Sequence, residues 1–403
     1  MSKLPVRDHL LARGKQADRA ARFLGHAWDK GWLPPPVLEP DALWAAAAKP
    51  LGDTASAAEA AGRTQADVAD FRLRLERLLD AVRNEAALNP LGQAMAYGQL
   101  VRVIGNRLKL GELWARKPEI LETELAPPLL IIGQMRSGTT RLHKLFAADP
   151  AHSHTRYCDA WHPVPTRPDW RRIKGSLDLI LLETLNPWLQ AIHPMASGSV
   201  EEELAWLAGA LNHSLYESQW HIPTYSAFSE ARDPLPVYRE LVRVLKTDAA
   251  HRACAERPRV MKAPQFGEDL ACLLHLFPDA RVVVAERAHE DVLKSAVSLV
   301  ANQMALQSDE CSLANITALY EHKIALRHER REAALSHWTG PLTRIAFDAL
   351  SHDWQSEITR AYAELGLVLS NTALSAIQAE MAASQAGNHR EHAAQLARFA
   401  TQN

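Results

Sequence analysis

The middle of this chain passes from an apolar run to a glycine-rich turn and then to an amphipathic segment. The apolar run is Leu129–Ile132, the turn is Gly133–Gly138 and the amphipathic segment is Thr139–Ala148. A short apolar run bounded by turn residues is typical of a buried strand, and apolar positions three and four residues apart are typical of a helix. The order strand, loop, helix begins a unit in which parallel strands are joined by helices, and it restricts the fold more than any other part of the sequence.

Three more segments repeat this pattern further along the chain. Each begins after a proline with a short strand-like run and continues into a helical pattern. The strand-like runs are Arg259–Lys262, Arg281–Ala285 and Leu342–Phe347, and the helical segments are Glu268–Phe277, Glu290–Val300 and one that begins at about Trp354. Strands that alternate with helices predict an α/β fold, in which a parallel sheet is covered by helices on both faces.

The sequence also predicts two helical regions outside this alternation. Residues 1–126 have the pattern of an N-terminal helical extension, with regularly spaced apolar positions from Val68 to Val82. Residues 127–403 then form the α/β domain, with a helical insertion at about 173–256. The insertion is either a lid over a substrate or additional helical packing, and the sequence leaves both interpretations open.

Charge and cysteine content argue against several classes of protein. A formal net charge of -2 over 403 residues argues against a broad electrostatic surface for nucleic acid. The cysteines are Cys158, Cys254, Cys272 and Cys311, and they form no CxxC pair. This usage predicts a reducing cytoplasm rather than a disulfide framework. No stretch of about 18 uncharged apolar residues occurs, so we expect no membrane span.

The segment Gly133–Thr140 has the chemistry of an anion site. Backbone N–H groups of a loop between a strand and a helix point into its hollow, and the helix amino terminus adds partial positive charge. The spacing nearly matches the nucleotide-binding pattern GxxxxGK followed by serine or threonine. Thr139 stands where that pattern has lysine, and the cation lies earlier, at Arg136. A magnesium-dependent nucleotide site uses that lysine, so the loop favours an anion neutralised by a fixed arginine.

With this loop the sequence resembles the sulfotransferase superfamily, which takes a sulfuryl group from 3′-phosphoadenosine 5′-phosphosulfate (PAPS). The loop is similar to the RSGTT form found in a bacterial branch and in tyrosylprotein sulfotransferases. The resemblance implies a P-loop-like three-layer core, transfer without a metal, and an Arg136 that contacts the 5′-phosphate and the transferring group. It assigns the rest of the loop to donor binding, namely Ser137, Gly138, Thr139 and Thr140.

The resemblance also implies a site for the 3′-phosphate of PAPS. Arg287 and Ser295 are eight residues apart, at a strand end and in the following helix, and the superfamily uses an arginine and a serine at this separation. One departure lies at Glu286-Arg287-Ala288-His289, where bacterial relatives usually have His-Arg-Asp-Pro. The proline is lost there, and Glu286 adds a negative charge beside the intended phosphate.

Two more segments resemble parts of the family's donor site. Lys262, in Lys262-Ala263-Pro264, is similar to the Lys-x-Pro step whose catalytic lysine reaches the sulfuryl group or the leaving phosphate. His389 and Arg390 match a basic loop that closes the nucleotide site in family members. Together these residues imply a donor held from several strand ends.

The acceptor must lose a proton as it attacks sulfur, and a carboxylate or a histidine can take that proton. In RSGTT-type relatives this base is a glutamate some twenty residues after the loop arginine, which implies Asp159 here, twenty-three residues after Arg136. His162, His193 and the triplet Glu201–Glu203 are alternatives, and His193 is kept among the catalytic candidates. The triplet could equally stabilise the dipole of a helix that starts there.

The sequence therefore predicts a cytoplasmic enzyme that moves a sulfuryl group from PAPS to a hydroxyl or amine of a small-molecule or peptide acceptor. We expect no metal and no nucleic-acid partner, and a homodimer remains open. Two other functions also remain open. A P-loop nucleotide-dependent kinase would need the missing lysine, and a non-catalytic binding module would keep the fold while tolerating the change at Glu286.

Overall fold

The structure, a computed structural model, describes residues 7–386. The strands of this part are β1 (Leu129–Ile132), β2 (Ser153–His154), β3 (Arg259–Lys262), β4 (Arg281–Glu286) and β5 (Leu342–Ala346). Its helices are α1 (Lys15–Asp29), α2 (Pro40–Ala48), α3 (Ala55–Ala60), α4 (Gln65–Glu85), α5 (Pro90–Arg116), α6 (Thr139–Ala148), α7 (Tyr157–Trp161), α8 (Arg171–Leu185), α9 (Leu189–Ile192), α10 (Leu204–Gly209), α11 (His213–Gln219), α12 (Pro223–Glu230), α13 (Leu235–Arg252), α14 (Leu270–Leu276), α15 (His289–Gln307), α16 (Leu313–Leu335), α17 (Phe347–His352), α18 (Trp354–Glu364) and α19 (Asn371–Ala386). Short 3-10 helices span Gly52–Thr54, Pro118–Glu122 and Pro264–Gly267.

The strands formed by residues 7–386 make one parallel sheet in the order β2-β3-β1-β4-β5. β1 lies at its centre, between β3 and β4. After β3 the chain crosses to the other side of β1 and adds β4 and then β5. A crevice forms at the carboxyl ends of the strands where the strand order reverses in this way, and open α/β sheets bind ligands there.

Alternate residues of the central strand face two different helical layers. Leu130 and Ile132 of β1 pack in a core with residues of α5, α13 and α14. Leu129 and Ile131 pack in a second core with residues of α6, α18 and α19. All four residues of β1 are buried, as expected for a parallel strand covered on both faces. The predicted three-layer α/β fold is confirmed.

The predicted strands are present, with small differences at their ends. β1 and β3 have the predicted bounds, β4 continues to Glu286, and β5 ends at Ala346. The helix predicted from Glu268 is shorter and begins at Leu270, whereas the one predicted from Glu290 continues to Gln307. The sequence does not predict β2, because two residues at a sheet edge show no periodicity.

The helices before β1 pack against helices from the segment between β2 and β3. Leu75 of α4 and Leu100 and Ile104 of α5 share one core with Trp220 and Tyr225. This core joins the predicted N-terminal extension to the predicted insertion. The division of the chain into 1–126 and 127–403 stays a prediction.

The described residues bear on two other expectations. Among the helices of residues 7–386, none is both long enough and apolar enough to cross a bilayer. The four cysteines are all free thiols.

Candidate active site

The carboxyl ends of the three central strands meet at one cavity of about 1210 Å³. Arg136 from the loop after β1, Lys262 at the end of β3 and Arg287 just after β4 all line it. Ligand pockets typically enclose about 300–1,000 Å³, so this cavity has room for more than one small molecule. Three cations on neighbouring strand ends suit an anionic ligand.

The loop after β1 lets a ligand approach its backbone closely. Gly138 has a φ of +91°, which L residues rarely adopt, and α6 begins at the next residue. A Cβ atom on Gly133 would lie 2.7 Å from the methyl group of Thr139 and 2.8 Å from the hydroxyl oxygen of Ser137. The first amides of α6 have no intrahelical acceptor, so the loop and the helix start together present N–H groups to an anion.

The loop residues assigned to donor binding do not all reach the cavity. Gly138, Thr139 and Thr140 line it, together with Arg136. Ser137 is buried, and its hydroxyl donates a hydrogen bond to the Gln134 carbonyl at 2.7 Å. The backbone N–H of Ser137 donates to the same carbonyl at 3.1 Å, so Ser137 fixes the shape of the loop.

Arg136 is held over the loop by uncharged partners. Its Nε donates to the Ser295 hydroxyl at 2.8 Å, and its Nη1 donates to the Ile192 carbonyl at 3.2 Å. Burial lowers the pKa of Arg136 and the charge of Arg287 lowers it further, while Glu202 acts in the opposite direction. Because its hydrogen-bond partners carry no charge, the guanidinium remains available to an anion in the cavity.

Arg287 and Ser295, the pair assigned to the 3′-phosphate, both line the same cavity. The Arg287 guanidinium lies 4.4 Å from the centre of the Phe347 ring, and it donates to the Arg136 carbonyl at 3.0 Å. It also lies 3.7 Å from the Asp291 carboxylate. Through Ser295 and this carbonyl, the loop cation and the two predicted 3′-phosphate residues form one connected group.

The unusual Glu286 does not add its charge to the cavity. Its carboxylate accepts a hydrogen bond from Arg344 at 2.9 Å, and Arg344 is also paired with Glu332 at 2.8 Å. Successive side chains of a strand point to opposite faces, so Glu286 and Arg287 diverge. The negative charge that Glu286 introduces at this position is therefore neutralised by a neighbouring arginine.

Lys262 is almost completely buried at the end of β3, with 2% exposure. Its Nζ donates to the Thr140 hydroxyl at 3.2 Å and forms an ion pair with Glu202. Its backbone N–H donates to the Glu203 carboxylate at 2.7 Å. Lys262 is thus fixed between the first turn of α6 and two glutamates.

The triplet Glu201–Glu203 does not form the first turn of a helix. α10 begins at Leu204, and its first turn holds no acidic residue, so the interpretation as dipole stabilisation is wrong. Each glutamate has a different partner instead. Glu201 lies 3.8 Å from Nε2 of His193, Glu202 pairs with Lys262, and Glu203 accepts from the Thr155 hydroxyl at 2.7 Å as well as from the Lys262 amide.

Two of these glutamates have shifted pKa values, in opposite directions. Burial raises the pKa of Glu203 to about 7, although the hydrogen bonds from Thr155 and from the Lys262 backbone act against it. Burial also acts to raise the pKa of Glu201, but the nearby His193 outweighs it, and the pKa lies below the usual value. Glu201 is therefore ionised and Glu203 readily protonated near neutral pH.

Asp159, the first choice for the general base, lies outside this cavity. It is fully buried, and its carboxylate forms ion pairs with Arg156 at 2.6 Å, Arg171 at 3.1 Å and Arg252 at 3.4 Å. Burial acts to raise the pKa of Asp159, but Arg156 and the other arginines outweigh it, and the pKa lies below the usual value. The surroundings of Asp159 are those of a structural carboxylate.

The other predicted bases divide between the cavity and its surroundings. His162 does not line the cavity, and its Nε2 lies 3.0 Å from the Asp178 carboxylate. His193 does line the cavity, and so do Glu201 and Glu202. His193 is thus the one histidine of the predicted set that the structure brings to the three cations.

Two histidine–glutamate groups of the described chain have a geometry that could hold a metal ion, with ligand atoms within 4.8 Å of one another. They are His193, Glu201 and Glu202 at the cavity, and His213, Glu217 and Glu230 elsewhere. In both groups a lysine already contacts the carboxylates. Lys262 pairs with Glu202, and Lys323 pairs with Glu230 and, at 3.1 Å, with Glu217.

Phe347 belongs to the site, although its sequence position alone does not indicate a functional role. Its ring lies beneath Arg287, and a Cβ atom on Gly138 would come within 2.6 Å of it. The available signal is its position directly after β5, because the ends of neighbouring parallel strands meet at one edge of the sheet. His389 and Arg390, predicted to close the nucleotide site, lie outside the described residues.

The remaining walls of the cavity are mainly apolar. They come from α8, α9, α11, α15 and the segment after α9, and include Leu182, Leu185, Leu189, Met195, Leu215 and Leu306. Apolar walls with a few polar groups are typical of small-molecule pockets. The cavity therefore combines a cationic group with a large apolar surface.

The chain is similar to known proteins in both sequence and structure. The model of the sulfotransferase family matches residues 127–371. The crystal structure of sulfotransferase STF1 from Mycobacterium tuberculosis H37Rv is similar, with a TM-score of 0.74 and 28% identity over 90% of this chain and 98% of that chain. Sulfotransferase STF9 from Mycobacterium avium has the same fold, with a TM-score of 0.74 and 19% identity over 86% of this chain and 88% of that chain. No curated protein matches significantly.

Proposed function

The chain belongs to the sulfotransferase family, and from that premise we propose that it moves a sulfuryl group from PAPS to a hydroxyl or amine acceptor. The observation that carries this proposal is the meeting of Arg136, Lys262 and Arg287 at the ends of three neighbouring strands. PAPS carries a 5′-phosphosulfate and a separate 3′-phosphate. A connected group of cations suits such a doubly anionic nucleotide.

Each anionic part of the donor has its own set of contacts in this proposal. The amides of the loop and of α6, with Arg136, hold the 5′-phosphosulfate, and Arg287 with Ser295 holds the 3′-phosphate. Hydrogen bonds from a charged donor to phosphate are roughly twice as strong as neutral ones. Ser295 touches Arg136 directly at 2.8 Å, so the two sets are linked.

The residues of this chain would then stabilise charge and move a proton. When bound, PAPS supplies the sulfuryl group, whose bond to the 5′-phosphate oxygen breaks as the acceptor atom bonds to sulfur. Arg136 and Lys262 stabilise the negative charge left on the departing phosphate. Because Lys262 is already held by Thr140 and Glu202, little reorganisation accompanies this stabilisation.

We assign the general base to His193, oriented by Glu201, in place of Asp159. Ile192, the residue before His193, accepts a hydrogen bond from Arg136, which keeps the histidine near the loop cation. Glu201 lies 3.8 Å from Nε2, where a carboxylate favours one orientation of the ring. Asp159 is a weaker base, because three arginines stabilise its ionised form.

Transfer without a metal is also part of the proposal. The Lys262 ammonium neutralises Glu202, the carboxylate that a metal at the cavity would need. Arg136 supplies the second positive charge at the donor loop. We expect EDTA to leave the transfer rate unchanged, and a rate restored only by an added divalent ion would reject this part.

Calorimetric titration with two nucleotides tests the donor site. The pair is 3′-phosphoadenosine 5′-phosphate (PAP) and adenosine 5′-monophosphate (AMP), which differ only in the 3′-phosphate. We expect PAP to bind about 100-fold more tightly, because charge-assisted contacts at Arg287 are lost with AMP. Labelled PAPS with a panel of hydroxyl and amine acceptors then tests transfer.

Other outcomes of the same titration favour the competing functions. Equal affinity for PAP and AMP would reject the assignment of Arg287. Failure to bind PAP at high micromolar concentration would favour a non-catalytic module. Tight, magnesium-dependent binding of ATP, together with equal affinity for PAP and AMP, would favour a kinase.

Several expectations from the sequence stay predictions. They are membership of the RSGTT branch, a cytoplasmic location, a small-molecule or peptide acceptor, independence of nucleic acid, and a homodimer as an open alternative. Donor binding by His389 and Arg390 has the same standing.

A further inference from the structure

The outer face of α8 carries a stripe of exposed apolar side chains. Ile173 is 53% exposed, and Leu177, Ile180 and Leu181 are each 60% exposed. Residues of an α-helix follow one another at about 100°, which places these four positions within an arc of about 100°. Single exposed apolar side chains are ordinary, but a contiguous group of this size marks an interaction surface.

The buried face of α8 lies on the opposite side of the helix. Arg171, Gly175 and Leu179 are buried there. A helix on the surface of a soluble domain normally turns its apolar stripe to the core and its polar face to water. α8 instead presents apolar side chains to solvent, and packing within the described residues does not explain them.

The outer stripe is continuous with the wall of the cavity. Leu181 is exposed on the surface and also lines the cavity, next to Leu182 and Leu185 of the same helix. The stripe therefore leads from the protein surface to the apolar part of the active site.

Positive charge lies at the amino-terminal end of the stripe. Arg167, Arg172 and Lys174 are exposed there, and Trp170 between them is 51% exposed. The acidic residue of this segment, Asp169, is paired with Arg171 at 2.9 Å. Within α8 itself the exposed acidic residue is Glu183, near its carboxyl end. Aliphatic side chains and a tryptophan beside lysine and arginine are typical of a helix that lies in a membrane interface.

We propose that the outer face of α8 docks on an anionic lipid surface. Anionic lipid headgroups supply counter-charges for Arg167, Arg172 and Lys174, and acyl chains cover the stripe. A second copy of the chain would cover the apolar residues but would bring the same basic residues rather than an opposite charge. Docking of this kind needs no donor, so it is independent of the proposed transfer reaction.

Vesicle sedimentation with the full chain tests the proposal. The vesicles contain phosphatidylcholine alone or a mixture with phosphatidylglycerol, and we expect binding to the mixture that weakens with added salt. Ile173→Ser/Leu177→Ser/Ile180→Ser should lower the partition coefficient about tenfold or more. Arg172→Glu/Lys174→Glu should lower it about tenfold. Matched controls replace exposed residues elsewhere, Phe23→Ser/Val368→Ser and Lys49→Glu, and should bind as the wild type does.

PAP titration of the same proteins separates docking from the donor site. We expect both α8 variants to keep the wild-type affinity for PAP, which also shows that they are folded. A wild type that stays in solution with mixed vesicles, or a triple variant that still sediments with them, would overturn the proposal. If the wild type forms a concentration-dependent dimer, the triple variant is monomeric and neither binds vesicles, the proposal is overturned in favour of self-association. If the wild-type chain binds vesicles but does not bind PAP, the result supports docking and rejects the proposed transfer.

Discussion

Two groups of charged side chains meet at Glu203, and they differ in how their charges are matched. Around Asp159 and Asp248, carboxylates and arginines form a dense set of ion pairs, including the 2.6 Å pair between Arg259 and Asp248. Around the cavity, Arg136 instead contacts a hydroxyl and a carbonyl, and Arg287 lies over an aromatic ring. Glu203 links the two groups through Thr155 on one side and the Lys262 amide on the other.

The difference shows that a buried charged side chain is not necessarily available to bind a ligand. Asp159 is buried and has a lowered pKa, which are features often used to find active sites. All the same, its negative charge is already taken up by arginines that belong to the protein. At the cavity, Arg136 contacts a hydroxyl and a carbonyl, and Arg287 approaches a carboxylate only at 3.7 Å, so a ligand can complete their contacts. Lys262 is the exception, because it is paired with Glu202. Access and incomplete pairing therefore identify the donor site better than burial does.

The largest effect should come from removing the loop cation. We expect Arg136→Ala to lower the transfer rate about 100- to 1,000-fold, because an arginine that stabilises transition-state charge is lost. The unfolding temperature should change little, since Arg136 contacts only uncharged groups. Arg156→Ala is the matched control in the ion-paired group, and it should lower stability while folded protein keeps its rate. Normal transfer by Arg136→Ala would remove the distinction between the two groups.

Removing Asp159 should act on stability instead. We expect Asp159→Ala to lower the free energy of unfolding by about 3 kcal/mol, because the buried Arg171 and two partly buried arginines lose their carboxylate. Urea unfolding measures this loss, and transfer by the folded fraction should stay near the wild-type rate. If a stable Asp159→Ala protein loses transfer, Asp159 is the general base and our preference for His193 is incorrect.

Arg287 should affect donor affinity more than rate. We expect Arg287→Ala to raise the dissociation constant of PAP about 10- to 100-fold, which corresponds to the loss of about 1.5–3 kcal/mol of charge-assisted hydrogen bonding. The affinity for AMP should be unchanged, because AMP has no 3′-phosphate. Arg360→Ala, which changes an arginine that is paired with Glu357 and does not line the cavity, should leave both affinities unchanged. Equal losses for PAP and AMP would place Arg287 at another part of the nucleotide.

The smallest effect should be a pH slope that depends on Glu203. Its pKa is about 7 in the folded chain and about 4.5 as a free side chain, so the folded state binds more protons between these values. Stability should therefore fall by about 1 kcal/mol per pH unit as pH rises from about 5 to about 7. Glu203→Gln, measured by urea unfolding over this range, should remove that contribution. Parallel slopes for both proteins would show that the pKa of Glu203 is not raised in the folded chain.

The sequence was most informative where structure depends on neighbours in the chain. Leu129–Ile132 and Arg259–Lys262 have the predicted bounds, because an apolar run between turn residues identifies a buried strand. Arg136 was found from the chemistry of its loop, whereas Lys262 and Arg287 were assigned through the resemblance to the family. Each of the three closely follows or ends a predicted strand, and parallel strand ends share one edge of the sheet, so the predicted strands account for their meeting.

Prediction failed where partners are distant along the chain. The environment of Asp159 depends on Arg171 and Arg252, and no local pattern indicates that these side chains meet it. The role of Glu202 likewise depends on Lys262, which follows sixty residues later. Phe347 was missed because a strand-end phenylalanine is indistinguishable from a core residue until its neighbours are known.

The position of Phe347 has a consequence for nucleotide selectivity. One face of the ring supports Arg287, and the ring also fills the space that a side chain at position 138 would need. Any enlargement at Gly138 must push the ring aside and thereby tilt the arginine assigned to the ribose phosphate. Mutations in the loop that holds one end of the nucleotide should therefore weaken discrimination at the other end. Adjusting the residue at 347 offers a way to tune donor preference from a position that makes no polar contact with the donor.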